Sequence, residues 1–373
     1  MTAGSSSRDL RLLPKTHLHL HFTGSMRHST LMELAAQHGV RLPDALADDW
    51  PPKLSATDEK GWFRFQRLYD IARSVLRSEA DVRRLLLEAA QDDAAEGSGW
   101  LEIQVDPSGY GSRFGGITAF TDLVLDAARS ASATTDVGIA VVIAANRTRH
   151  PLDARTLARL AAQYAGRGVV GFGLSNDERR GEVRAFAPAF RIAAAAGLLS
   201  VPHGGELRGA DSVRACLDYL GAMRVGHGIR SVDDPALLAQ LVDAGVTLEV
   251  CPASNVSMGV YAAAADVPLR SLIDGGARVV LGADDPLLFG SRLVDQYEIA
   301  RQVHGCTDGE LAGLARWSVQ GSAAPLDTKT RLLAGIDDWL GAPVATGAAD
   351  RGHHQPNTYI TRQVGLVMYR QGW

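Results

Sequence analysis

Two histidines near the N-terminus have a spacing that suits metal binding. His19 and His21 lie in the apolar run THLHLHF. If this run forms a strand, a separation of two residues places both side chains on one face. Two imidazoles on one face can bind the same metal ion, and histidine is the commonest metal ligand. A packed pair of histidines without a metal is the alternative when the pattern is taken alone.

Further potential ligands follow other apolar runs. His203 begins the sequence HGGE, His227 lies in VGHG, and Asp284 lies in GADDP. Three of these four imidazoles and one carboxylate would form a mixed nitrogen and oxygen set that suits Zn²⁺ and leaves room for a water molecule. Each motif alone is also consistent with a loop or a helix cap. Their joint occurrence at the ends of separate predicted strands favours a metal site.

The elements that must position these residues are eight predicted strands that alternate with helical patterns. The strand-length runs are 16–22, 100–105, 138–145, 169–174, 198–203, 223–228, 246–252 and 277–285. This alternation predicts an α/β fold, a (β/α)8 TIM barrel, whose catalytic residues lie at the C-terminal ends of the strands. An open doubly wound sheet is the competing layout, but no G-x-G-x-x-G motif follows the first strand.

Residues 30–98 interrupt the alternation, because they contain helical patterns and no good strand. We expect a helical insertion after the first strand, placed to act as a lid over the catalytic face. The predicted boundaries are a flexible arm over residues 1–10, a barrel over 11–340 and a poorly packed extension over 341–373.

Composition excludes several classes of protein. The 373 residues include 38 Lys and Arg against 42 Asp and Glu, a net charge of −4. This balance argues against a nucleic-acid-binding protein. The sequence contains no stretch of about 18 apolar residues, so we expect no membrane span. The N-terminus lacks the apolar core of a signal peptide. Three cysteines in a chain of this length are typical of a reducing compartment, and we expect a cytoplasmic protein.

Taken in order, the segments PKTHLHLHFTGS, HGGE, GHG, VCPASN and GADDPLLF resemble the adenosine deaminase family of the amidohydrolase superfamily. The likeness extends from about Leu13 to about Leu340. It implies zinc-dependent hydrolytic deamination of a 6-aminopurine nucleoside, with adenosine or deoxyadenosine as the small-molecule substrate. It also implies one Zn²⁺ per chain, with the ligands His19, His21, His203 and Asp284.

The resemblance also assigns roles around the metal. By it, Glu206 protonates purine N1, His227 orients and deprotonates the water bound to zinc, and Asp285 bonds purine N7. Gly24 matches a backbone position near the substrate. Zinc chemistry suits this reaction, because the ion lowers the pKa of bound water to about 7. The proton donor needs a raised pKa, which a dry pocket would provide.

Two positions depart from the family pattern. Thr23 stands where the family usually has an Asp or Glu that binds a ribose hydroxyl, and Asn176 stands where it usually has a glycine whose backbone N–H faces purine N3. Asn tolerates a left-handed backbone, so the turn is compatible with it. The departures leave open adenine, a 5′-modified adenosine such as aminodeoxyfutalosine, and N6-substituted AMP. Neutral drift with adenosine retained is equally consistent with them.

In the insertion, Trp62, Phe65 and Tyr69 fall on one helical face. Packing within the insertion is the simplest interpretation for most of them. A second interpretation makes this face an apolar roof over the sugar, and Phe65 is the residue that we expect to contact the substrate.

Two other functions remain as alternatives. A metal-dependent amidase or phosphoester hydrolase on the same barrel often uses a carboxylated lysine between two metals, but the fourth strand ends in GLSND without a lysine. A non-catalytic binding protein on the same fold is the other alternative. The presence of all the proposed ligand and acid residues argues against it.

Overall fold

The computed structural model describes residues 8–343. Eight parallel strands form one sheet in the order β1 to β8. Their bounds are β1 Lys15–His21, β2 Ser98–Val105, β3 Gly138–Asn146, β4 Val169–Ser175, β5 Leu199–Gly204, β6 Arg224–His227, β7 Thr247–Val250 and β8 Arg278–Leu281. The chain is thus a (β/α)8 TIM barrel. All eight predicted strands are confirmed within two residues at each end, except that the last strand ends at Leu281, before the predicted end at residue 285.

The barrel closes between β8 and β1. The backbone N–H of Asp284 donates to the carbonyl of His19 at 3.0 Å, and the N–H of His21 donates to the carbonyl of Asp284 at 2.9 Å. These bonds join the segment after β8 to the strand that carries the histidine pair. Barrel closure therefore places residues from opposite ends of the sequence side by side.

Fourteen helices surround the sheet in the described range. They are α1 His28–His38, α2 Glu59–Ser74, α3 Glu79–Ala95, α4 Ile117–Thr135, α5 Pro151–Gln163, α6 Val183–Ala195, α7 Ala210–Leu220, α8 Pro235–Ala244, α9 Pro252–Ser257, α10 Leu269–Asp274, α11 Pro286–Phe289, α12 Leu293–Gln302, α13 Asp308–Gly321 and α14 Leu326–Gly341. The helices α1 to α3 lie between β1 and β2, which confirms the helical insertion. Asp58 caps α2, and Ser78 and Asp81 form a capping box at α3.

The inside of the barrel is polar as well as packed. Arg224 of β6 forms ion pairs with Glu102 of β2 and Glu249 of β7, each at 2.7 Å, and all three side chains are at most 2% exposed. Apolar side chains such as Leu101 and Ile103 alternate with Glu102 on β2 and face the surrounding helices, as the two-residue period of a strand requires. A charged network therefore joins three strands across the interior.

At the chain ends, Arg8 donates to the backbone carbonyls of Trp339 and Leu340, and Leu10 is buried. Residues 1–7 of the predicted arm and 344–373 of the predicted extension lie outside the described residues. Within residues 8–343, no helix has the length and apolar character required to cross a lipid bilayer.

Candidate active site

Four side chains converge at the C-terminal end of the barrel. Asp284 Oδ1 lies 3.2 Å from His21 Nε2 and 3.6 Å from His19 Nε2. His203 Nε2 lies 3.3 Å from His21 Nε2. Ligand atoms around a tetrahedral zinc ion, each about 2.0–2.1 Å from it, are about 3.3 Å apart. The spacing in this cluster therefore fits one zinc ion.

The hydrogen bonding of the cluster also fits a cation. The buried Nε2 of His19 has no hydrogen-bond partner, and its Nδ1 bonds Glu249 Oε2 at 2.9 Å. A carboxylate on Nδ1 holds the proton there and directs the lone pair of Nε2 into the cluster. Burial disfavours a charged His19, but Asp284 and Glu249 outweigh this effect and raise its pKa to about 10. The carboxylates thus favour positive charge at this point.

The surroundings of Asp284 keep its carboxyl group ionised, as a metal ligand requires. Burial opposes its ionisation, but the close approach of His19 and His21 overcomes that effect and holds its pKa well below the usual value. Its other oxygen, Oδ2, accepts a hydrogen bond from the Ser254 hydroxyl at 2.5 Å. The backbone of Asp284 is left-handed, with a φ of 61°. Such a conformation is unfavourable for a residue with a side chain and is typical of functional sites.

Glu206 and His227 lie beside the cluster and face each other. Glu206 Oε2 is 3.6 Å from His227 Nε2, and both residues are at most 6% exposed. Burial, followed by the charges of Asp284 and Glu178, raises the pKa of the Glu206 carboxyl well above its usual value. Burial lowers the pKa of His227 to about 4. The pair thus combines a carboxyl that keeps its proton with a neutral imidazole, which suits proton transfer.

The loop that carries Glu206 is held by another carboxylate. Glu178 accepts hydrogen bonds from the backbone N–H groups of residues 205–208 and from the Ser212 hydroxyl. A charged run such as NDERR (176–180) is typical of a solvated segment, but its first two charged residues, Asp177 and Glu178, are at most 4% exposed. Backbone donors that need a buried acceptor explain why this charge lies inside.

Asp285 and Gly24 fit closely against each other. A Cβ atom on Gly24 would lie 1.8 Å from Asp285 Oδ1, so only glycine leaves room for the carboxylate. Burial raises the pKa of Asp285 to about 7, and its Oδ1 has no hydrogen-bond partner. The carboxyl group is therefore available to a ligand in the cavity.

A cavity opens above these residues. It contains about 770 Å³ of empty space, including the part open to solvent. Helix α2 contributes Trp62, Phe65 and Tyr69 to its wall, which agrees with the predicted common face. The ring of Phe65 lies parallel to that of Phe289, with centroids 6.1 Å apart. A space of this size can hold a purine base or nucleoside.

Thr23 and Asn176 occupy different positions relative to the cavity. Thr23 is fully buried, and its hydroxyl is hydrogen bonded to that of Tyr110. Tyr110, and not Thr23, is among the residues that line the cavity. Asn176 lines the cavity itself and has a left-handed backbone, with a φ of 79°. Its Nδ2 donates to Gln66 Oε1 at 2.8 Å. The roles of both residues in binding stay predictions.

Sequence reasoning missed three residues that the structure places in or beside the site: Glu178, Glu249 and Gln104. Glu249 interrupts the apolar run VTLEV, and Gln104 interrupts LEIQV. A polar residue in the middle of a buried strand is costly without a partner, and this was the available signal. His17 shares the inward face of β1 but is not free to bind metal, since Nδ1 bonds Asp93 and Nε2 accepts the N–H of Ala283.

Comparison with known proteins agrees with this arrangement. The model of the family "Adenosine deaminase" matches residues 14–339. A Streptomyces virginiae protein, named provisionally as an adenosine/adenine deaminase, is 65% identical over 334 residues, which cover 90% of this chain and 98% of that protein. An adenine deaminase of Sinorhizobium medicae is 34% identical over 87% of this chain and 98% of its own length.

Among solved structures, an adenine deaminase from Arthrobacter aurescens superposes with a TM-score of 0.81 at 29% sequence identity. The superposition covers 88% of this chain and 99% of that one. The family uses a single zinc ion, which the cluster of three histidines and Asp284 fits. The chain therefore belongs to the adenosine deaminase family and is a hydrolytic deaminase of the amidohydrolase type.

Proposed function

We propose that this protein hydrolytically deaminates a 6-aminopurine and that His19, His21, His203 and Asp284 hold the zinc ion. When bound, zinc lowers the pKa of a coordinated water molecule to about 7. The observation that carries the proposal is the buried Glu206 carboxyl, whose pKa is raised beside His227 and the metal cluster. A carboxyl that keeps its proton at neutral pH can give that proton to a ring nitrogen.

In the proposed reaction, water adds to purine C6 while Glu206 protonates N1, because a protonated ring accepts the electron pair more readily. His227, neutral near pH 7, accepts a proton from the attacking water. Asp285, with a pKa of about 7, binds N7. His227 then gives its proton to the amino group, the C6–N bond breaks and ammonia leaves. The C6 hydroxyl loses its proton to the Glu206 carboxylate, which yields the 6-oxopurine and restores both residues. Purine and water are thereby converted to product without a further reactant.

The Glu206→Gln variant tests the proton donor. We expect it to keep its zinc, because Glu206 is not among the four ligands, while kcat falls by about 10²–10⁴-fold. Ammonia release and zinc content measure the two effects. Asp211→Asn serves as a control, because it neutralises an exposed carboxylate in α7 that pairs with Arg208. A Glu206→Gln enzyme with normal turnover would contradict the assignment.

Two substrates are favoured by different observations. The resemblance in sequence favours adenosine or deoxyadenosine. Free adenine is favoured by two findings: relatives named adenine deaminase are 34% identical, and Thr23 offers no carboxylate and no exposed surface to a ribose. Loss of absorbance near 265 nm with adenine, adenosine, 5′-modified adenosines and N6-substituted AMP would rank these compounds.

A further inference from the structure

Gln104 is a buried polar residue whose amide lacks a protein partner. It lines the cavity, is 2% exposed, and neither its Oε1 nor its Nε2 has a hydrogen bond. Buried amides are almost always paired, because an unpaired donor or acceptor loses its bonds to water without replacement. An amide that is unpaired on both atoms at the wall of a cavity suggests that a ligand supplies the partners.

The strand geometry directs this side chain into the barrel. Glu102, two residues earlier on β2, reaches Arg224 of β6 across the interior. The two-residue period of a strand gives Gln104 the same inward direction, one layer nearer the C-terminal end. Gln104 is also paired in register with His21 of β1. Its amide therefore lies at the level of the metal cluster, on the side of β2.

The order of groups round the barrel indicates which edge of the substrate Gln104 meets. This step rests on the proposed function, in which Glu206 after β5 binds N1 and Asp285 after β8 binds N7. His227 of β6 lies between them, on the side of C6. The remaining perimeter of a purine runs from N1 through C2, N3 and N9 to C8 and N7. With the ring lying across the barrel axis, this perimeter faces β4, β3, β2 and β1 in that order, and the N3 and N9 edge meets Gln104.

We propose that Gln104 binds the N3 and N9 edge of a free 6-aminopurine base and makes the enzyme selective for the base over its nucleoside. In free adenine N9–H is a donor, and the neighbouring N3 is an acceptor. The carboxamide offers the complementary pair, with Oε1 accepting N9–H and Nε2 donating to N3 beside the backbone N–H at Asn176. A nucleoside has a sugar on N9, so it cannot make the first bond and directs the sugar toward Gln104.

The wall on the sugar side agrees with this selectivity. The Thr23 hydroxyl is bonded to that of Tyr110, and Arg73 of α2 lies over the Tyr110 ring, 5.5 Å from its centroid. Arg73 and Tyr110 both line the cavity, and in the proposed orientation of the base they occupy the side toward which a ribose on N9 would extend. The polar group at position 23 is already satisfied within the protein.

The test compares adenine with 9-methyladenine, which lacks N9–H, in the zinc-loaded enzyme and in Gln104→Met. Methionine has nearly the volume of glutamine but no amide. We expect the substitution to lower kcat/KM for adenine by roughly tenfold to a hundredfold. The loss for 9-methyladenine, which keeps only the bond to N3, should be smaller by a factor of at least about three. Gln66→Met is the matched control, since Gln66 lines the same cavity but its amide bonds Asn176 and Asp70. It should change both substrates by the same factor.

Zinc content and thermal unfolding establish that each variant is folded. Equal losses for adenine and 9-methyladenine in Gln104→Met would assign Gln104 a structural role and overturn the proposal. A wild-type enzyme that prefers adenosine to adenine would also overturn it, while leaving the deaminase function intact. Failure of the zinc-loaded wild type to release ammonia from any 6-aminopurine would instead overturn the proposed function, and this proposal with it.

Discussion

At the scale of single residues, the metal site depends on a side chain that does not touch the metal. Glu249 bonds His19 Nδ1 at 2.9 Å and is itself held by Arg224. Burial opposes the ionisation of Glu249, but Arg224 and His19 outweigh it and lower its pKa. Glu249 is therefore an anion that fixes the orientation of the His19 ring. Ligand identity alone does not account for the site.

We expect Glu249→Gln to weaken zinc binding by about 10–100-fold, because an amide fixes the His19 ring less firmly than a carboxylate. Competition with a chelator measures the dissociation constant. Glu102→Gln is the matched control, since it removes an equivalent charge from Arg224 but does not contact His19. If both variants lose zinc to the same degree, the effect comes from the Arg224 network and not from the His19 contact.

At the scale of elements, the loop after β4 holds the loop after β5. The carboxylate of Glu178 accepts hydrogen bonds from the backbone N–H groups of residues 205–208, including that of Glu206. The hydrogen bonds require both loops, because the loop after β5 supplies the N–H donors and the loop after β4 supplies the carboxylate that accepts them. The position of the proposed acid is thus decided by a contact between neighbouring βα units.

The Glu178→Gln variant should lower the free energy of unfolding by about 3 kcal/mol, because an amide nitrogen would face backbone donors in a buried place. We also expect kcat to fall by about tenfold or more through displacement of Glu206. Denaturant unfolding and ammonia release measure these effects. In the control Asp177→Asn the lost partner is the Arg179 side chain, so stability should decrease with little change in kcat. Retention of full activity by Glu178→Gln would contradict this role.

At the scale of the whole molecule, the two ends of the barrel are built differently. The C-terminal end holds the metal cluster, whereas the N-terminal end is closed by Lys15, which donates to the backbone carbonyls of Leu10 and Glu96. Burial lowers the pKa of Lys15 to about 7, although the nearby acidic residues act in the opposite direction. The ordinary value in the unfolded chain is 10.5.

This difference predicts how stability changes with pH. Between about pH 7 and 10.5 the unfolded chain keeps a proton on Lys15 that the folded protein has released. The unfolded state therefore binds more protons, and the contribution of Lys15 to the free energy of unfolding rises with pH, by about 1 kcal/mol per pH unit. Denaturant unfolding at a series of pH values would show a smaller slope in Lys15→Met than in the exposed control Lys53→Met. Identical slopes would refute the prediction.

The sequence by itself determined the barrel and the residues of the metal cluster. Each strand is a short apolar run, and each ligand occupies the end of such a run or its inward face. The resemblance to the adenosine deaminase family then distinguished the ligand His203 from His227, which has the same kind of position. His19 and His21 needed only the two-residue period of a strand to be placed together. His203 and Asp284 needed the additional rule that the ends of parallel strands meet at one edge.

Only the tertiary structure decided which polar residues support that cluster. Glu249 contacts a histidine 230 positions away, and Glu178 binds a loop about 30 positions away. No local period encodes such pairs, because a buried charge acquires its partner when the barrel closes. Gln104 has the same origin: its unpaired amide is visible only once every neighbouring strand is in place. The metal ligands could be identified from patterns in the sequence, whereas the residues that surround them are determined by long-range contacts in the folded protein.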